Sequence, residues 1–173
     1  NIIIDQELRK DLIRKEIIKA EKKRKFKVNL NEKLLNEVTN LVEKPKILVC
    51  EFDKRFLNIP NEILITTMQT YQKYFSTIDN KSNLTNNFIV VADINDPKGF
   101  VKIGNERVID ARLSDAEFFW HRNKSQNLVK QISKLKNINY FKGLGSYYDK
   151  IQRMRKLSAI ISDEFLISKE KIE

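Results

Sequence analysis

In the string DQELRKDLIRKEIIKAEKKRK, residues 5–25, Leu8, Leu12, Ile13, Ile17 and Ala20 recur at three- and four-residue steps among charges. That spacing places apolar side chains on one face of a helix and predicts a helix over 5–25. Its densely basic end, KAEKKRKFK, suits the negative end of a helix dipole. A second stripe, Leu34, Leu35, Val38, Leu41 and Val42, predicts a helix within 29–44, capped by Asn31 and ended by Pro45.

The period then changes. KILVCEF, 46–52, is a short apolar run between Pro45 and Asp53, the pattern of a buried strand. FDKRFLNIP reads as a connector with one helical turn. NEILITTMQTYQ, after Pro60, reads as a helix with a proline at its start. KYFSTID and NFIVVADI flank the polar cluster DNKSNLTN and predict a β-hairpin, giving a β-α-β-β core. Asp96-Pro97 is a helix-start signal, and a helix is expected from there to about His121, with Gly104 a candidate break. Further helices are expected over 126–135 and 147–165. The expected class is α+β: a helical N-terminal arm, a small mixed β-α-β-β core and a helical C-terminal half. The expected segments are 1–44 (the arm), 45–142 (the core with its long helix) and 143–173 (the start of a following helical domain).

Charge adds a partner to this picture. Lys and Arg number 33 against 23 Asp and Glu, a net charge of +10, which suits a polyanion because neutralised phosphates release counterions. An AT-rich coding sequence would also inflate Lys, Asn and Ile, and this chain is rich in all three. The single cysteine, Cys50, rules out an internal disulfide and a Cys-based zinc site, and fits a reducing, cytoplasmic setting. Its place in ILVC marks a buried structural thiol. No apolar run approaches the roughly 20 residues of a membrane span. The chain opens on Asn1 and ends in SKEKIE, as an excised segment of a longer protein would.

Catalytic signatures are missing from the string: there is no GxxxxGK[ST], GxGxxG or HExxH. The sole histidine, His121, cannot form a two-histidine metal site; no metal or catalytic residue is expected. KGLGS, 142–146, resembles an anion-binding glycine loop, but a turn with Gly145 before an N-cap Ser146 explains it as well. From Phe118 to Ser162 there are ten bases and one acid, Asp149, with Tyr140, Phe141, Tyr147 and Tyr148 interleaved. Bases contact phosphates and aromatics stack on splayed nucleobases. The candidate RNA-binding residues are Arg122, Lys124, Lys142, Tyr147, Lys150, Arg153, Arg155 and Lys156. Lysines on a solvated face over a core of aromatics are the competing explanation. In GNERVIDARLSDAEFFW, residues 104–120, Val108, Arg112, Asp115 and Phe119 share one helix face, beside Ile109, Leu113, Ala116 and Trp120. Arg112 and Asp115 are therefore expected to form a half-buried i,i+3 structural pair, with Phe119 and Trp120 largely in the core.

Four blocks in order, EFDKRFLNIPNEILITTMQTYQKYF, NNFIVVADI, GNERVIDARLSDAEFFW and KGLGSYYDKIQRMRKL, closely resemble the β subunit of bacterial heterotetrameric glycyl-tRNA synthetase. The likeness spans Val42 to Leu157, a central segment of the family's β chain. Tyr71 departs from it, since the family often has histidine or another polar residue there. The helix from Tyr147 resembles the entry into the family's HD-like helical domain, although no His-Asp pair occurs.

The resemblance implies an enzyme of two α and two β chains, in which the α subunit binds ATP and glycine and forms glycyl-adenylate. The β chain would support tRNA-Gly recognition, so the expected partners are the α subunit, tRNA-Gly and a second β subunit, with no membrane. The segment itself is expected to carry no cofactor and no catalysis. Two other readings stay open: a module that organises α–β contacts without binding RNA, and a phosphate-processing enzyme built on the HD-like neighbour, which a lone histidine serves poorly.

Overall fold

The structure, a computed structural model, describes residues 2–165. They divide into two compact units, one up to residue 121 and one from residue 122 onward.

In the first unit, α1 (Gln6–Arg24) starts where the Asp5 side chain accepts from the Leu8 N–H and ends at Lys25, which takes a left-handed conformation and returns its N–H to the Glu21 carbonyl. The turn delivers Phe26 to the core and leads into β1 (Lys27–Val28). α2 (Glu32–Leu41) is capped by Asn31, as its sequence predicts. β2 (Lys46–Glu51) follows Pro45. A 3-10 turn, Lys54–Asn58, connects to α3 (Asn61–Thr66), which starts after Pro60. α3 runs on as a π-turn over Thr67–Tyr71 instead of staying α-helical to residue 72. Lys73, at positive φ, and a bond from the Tyr74 N–H to the Met68 carbonyl then end it. The hairpin is β3 (Phe75–Ile78) and β4 (Leu84–Ala92), turning on Asp79, which accepts from the Lys81 and Asn83 N–H groups. α4 (Phe100–Ser125) is continuous through Gly104. It starts four residues later than Asp96, whose carboxylate caps from a distance by accepting from the Lys102 N–H.

The class is α+β with helical N- and C-terminal parts. The sheet contains the three strands of the expected β-α-β-β core and one more, β1. It has four strands in the order β1-β3-β4-β2, all pairs antiparallel. A tight hairpin can only be antiparallel, and β2 joins the free side of β4 in the same sense. The fourth strand, β1, is too short for any period to show in the sequence.

Both faces of the sheet are covered. β4 sends Ile89 into the layer formed with α1 and α2, where Ile13, Ile17, Leu34, Leu35, Val38 and Phe75 are buried. It sends Phe88 and Val90 into the opposite layer with Phe52, Phe56, Leu64, Met68, Ile109 and Leu113. Period-two alternation with apolar side chains on both sides produces the unbroken run FIVV. Cys50 is fully buried in the second layer, as its setting in ILVC predicts. Burial pushes its thiol up to about 12.

The second unit holds the end of α4, α5 (Leu128–Gln131), a 3-10 turn (Ile132–Asn137), β5 (Asn139–Phe141), β6 (Gly145–Ser146) and α6 (Tyr147–Glu164). The single helix expected over 126–135 is thus two short pieces, the first capped by the Asn127 side chain. β5 and β6 form an antiparallel hairpin that the turn residues of KGLGS close. Leu128, Val129, Leu157 and Ile160 are all exposed here. No described helix is long and apolar enough to cross a membrane.

Candidate nucleic-acid interface

The base-rich half is organised by one helix start. Ser146 caps α6, and the cap is reciprocal: the Asp149 N–H donates to Ser146 Oγ at 3.3 Å, while Asp149 Oδ2 accepts from the Ser146 N–H and hydroxyl, each at 2.8 Å. These bonds hold the Asp149 carboxyl below the usual carboxylate range, the Ser146 N–H contributing most. Gly145 sits at φ 77°, and a Cβ there would overlap the Asp149 carboxylate. The loop KGLGS is therefore a turn and cap whose donors are taken up within the protein: the Ser146 N–H by the Asp149 carboxylate, the Tyr147 N–H by the Ile138 carbonyl and the Asp149 N–H by Ser146 Oγ. The sole acid of the 118–162 stretch is spent on this cap.

The hairpin then folds rings against bases. The Tyr147 N–H donates to the Ile138 carbonyl at 2.9 Å, which seats the first turn of α6 on β5. Tyr140 and Tyr147 meet edge to face, ring centres 5.3 Å apart. Lys150 Nζ lies 4.2 Å from the centre of the Tyr140 ring and 5.9 Å from that of Tyr147. Lys136 covers Tyr148 at 4.8 Å. Arg153 Nη1 donates to the Leu144 carbonyl at 2.9 Å and braces the turn. A guanidinium has five N–H donors, so Arg153 keeps others for an outside acceptor.

Of the expected site residues, Tyr147, Lys150 and Arg153 are brought together on the first turns of α6, and Lys142 lies in the adjoining hairpin turn. Arg155 and Lys156 are exposed further along the same helix, and Arg122 and Lys124 are exposed in the last turn of α4. Tyr140 and Lys136 complete the cluster. The interleaved tyrosines signalled an aromatic surface, but only the β5–β6 pairing shows which ring each lysine covers.

The Arg112–Asp115 pair is not half-buried. Both residues are exposed beside Thr67, Tyr71 and Gln72 in an open groove, and no ion pair joins them. The adjacent stripe, Ile109, Leu113, Ala116 and Trp120, packs on the sheet instead, which turns the 108–112–115–119 stripe outward. Phe119 is accordingly exposed and meets Phe118 edge to face, 5.4 Å between ring centres, while Trp120 packs partly on the core. His121 is exposed. Among the described residues no cluster of three or more His, Cys, Asp or Glu side chains is arranged to hold a metal ion.

Comparison with known proteins places these features in context. A family model described as "Glycyl-tRNA synthetase beta subunit" matches residues 1–173. Relatives named "Glycine--tRNA ligase beta subunit" include those of Dictyoglomus thermophilum, 42% identical over 171 residues (98% of this chain, 25% of the relative), and Pseudomonas putida strain GB-1, 43% over 163 residues (93% and 24%). The protein of that name from Lactiplantibacillus plantarum is 36% identical over 165 residues (95% and 24%). The chain thus spans about a quarter of the length of the relatives it matches.

Proposed function

The chain belongs to the glycyl-tRNA synthetase beta-subunit family, and on that premise we propose that it is a non-catalytic part of a glycine–tRNA ligase that supplies tRNA contacts. The ligase works in the cytoplasm as two α and two β chains, and its α subunit binds ATP and glycine. The observation that carries this reading is the ring-and-base cluster of Tyr140, Tyr147 and Lys150, beside Lys142, Arg153, Arg155 and Lys156, with Asp149, the one acid of the 118–162 stretch, locked in a helix cap. Such a surface presents several cations to a phosphate backbone without local competition. Tyr147 keeps an exposed edge against which a nucleobase or ribose can pack.

A second reading, an interaction module that organises α–β contacts, draws on a different observation. Met154, Leu157 and Ile161 are exposed at helical spacing on α6, and an exposed apolar stripe suits a protein partner.

The experiment that separates them is the double substitution Lys150→Ala with Arg153→Ala in the full-length β chain assembled with its α partner. On the RNA-binding reading, tRNA-Gly affinity falls and the slope of log affinity against log salt flattens by roughly one to two units. Glycine-dependent pyrophosphate exchange, which needs only the α active site, stays near wild type. Unchanged affinity and slope would remove this face from the RNA surface and favour the interaction module.

A further inference from the structure

β2 is an edge strand, because the sheet order ends on it. In an antiparallel ladder, residues alternately direct their backbone groups toward the partner and away from it. The bond from the Phe52 N–H to the Asn86 carbonyl, 3.0 Å, sets the phase: Cys50 and Leu48 face β4, while Ile47, Val49 and Glu51 face outward. The outward Glu51 N–H is taken by Glu106 Oε1 at 2.8 Å. No such bond reaches the N–H of Ile47 or Val49 among the described residues.

Those two residues form the floor of an open groove of about 600 Å³. α1 packs on one face of the sheet and α4 on the other, so the free edge lies in a slot between them. Lys19, Lys23 and Arg24 line the slot from α1 and Lys102 from α4. The acids that line it are engaged: Glu16 with Lys19 at 2.5 Å, and Asp96 with the Lys102 N–H at 2.8 Å. Arg24 holds the exposed Glu51 carboxylate and Lys102 the half-buried Glu106 carboxylate, each at 3.6 Å, and the exposed pair is a weak one that another anion can replace. Lys23 has no acid partner among the described residues.

Two anionic ligands would suit the cations, and the edge chooses between them. A strand edge offers N–H donors and C=O acceptors in turn. The phosphate groups of a nucleic acid carry acceptors only and would face the Ile47 and Val49 carbonyls unfavourably. A peptide matches both groups. We propose that this slot takes an extended acidic segment of a partner protein as a fifth strand beside β2. Its backbone pairs with Ile47 and Val49, and its carboxylates meet Lys23, Arg24 and Lys102.

The test uses the full-length β chain and three probes: the peptide (Glu-Val)3, its counterpart (Lys-Val)3, and a hexameric oligouridylate. Amide hydrogen exchange is followed at Ile47 and Val49, with Leu48 and Cys50 as already bonded internal controls. The acidic peptide is expected to slow exchange at the two outward amides by about tenfold at a concentration near ten times its dissociation constant. The basic peptide should do nothing. Lys23→Glu should weaken the acidic peptide several-fold without altering the control amides. Val49→Pro, which removes an outward N–H that β4 does not use, should abolish the effect; if that variant does not fold, the wild-type exchange data still decide. Exchange at Ile47 and Val49 unaltered by saturating acidic peptide would overturn the proposal. Protection by the oligouridylate rather than the peptide would also overturn it, and would make the slot a phosphate groove.

Discussion

The Lys150 ammonium stands over the Tyr140 ring, 4.2 Å from its centre, held there by the β5–β6 hairpin and the first turn of α6. The contact fixes a cation at the surface while leaving its outer side open. Lys150→Met preserves the stem on the ring and deletes only the charge. In the full-length chain it should lower the salt slope of tRNA binding by about 0.7 to 0.9, the share of one phosphate contact. Tyr140→Phe keeps the ring face and should leave the slope as it is. A wild-type slope in Lys150→Met would place this amine outside any phosphate contact.

Arg112 offers the opposite expectation from a buried pair. Removing one member of a buried ion pair costs about 3 to 5 kcal/mol, whereas an exposed, unpaired side chain changes stability by about 0.5 kcal/mol or less. Since Arg112 is exposed and, among the described residues, unpaired, Arg112→Ala should leave the urea midpoint almost unmoved. A loss of several kcal/mol would restore the buried pair.

The neighbouring stripe carries the stability. Leu113 is fully buried against the sheet, and Leu113→Ala should destabilise by about 2 to 5 kcal/mol, the lost transfer energy plus the cavity left behind. Equilibrium unfolding of the two alanine variants side by side checks which stripe of α4 faces inward.

Tyr74 ties β3 to α4 by donating its hydroxyl to Asn105 Oδ1 at 2.5 Å, and burial raises its phenol to about 12. Tyr74→Phe keeps the stacking on Phe88, ring centres 5.0 Å apart, and leaves the amide oxygen without its donor. The expected loss is about 0.5 to 1.5 kcal/mol, read from the same unfolding curves.

The α6 cap should be acid-sensitive. The Asp149 carboxyl is held below its ordinary value in the folded chain, so its contribution is complete above the unfolded value, near 3.8, and is lost as pH falls through the folded one. The Asp149 carboxyl carbon should titrate below the ordinary carboxylate range, and the Ser146 amide should lose exchange protection over the same acid interval. Asp149→Asn should show no such step. Gly145→Ala, which pushes a methyl into the carboxylate, should expose the amide at neutral pH.

Most of the local structure was legible in the chain. The 3.6-residue stripes of α1 and α2, the Asn31 cap, the β3–β4 hairpin and the Ser146 cap all rest on contacts within a few residues, which the local sequence writes directly. The four quoted blocks sufficed for the family because they preserve residue types in order. Tertiary packing decided the rest. Periodicity gives α4 two adjacent stripes, each mixing apolar residues with others, and cannot say which one meets the sheet. The fit of Ile109 and Leu113 beside Phe88 decides it, and turns Arg112 and Asp115 to solvent. β1 has two residues and exists because β3 offers it an edge. The contact of Lys150 with Tyr140, and the free edge of β2 between two helices, depend on chain segments far apart in sequence. Such contacts are set by shape and burial, which no local pattern encodes.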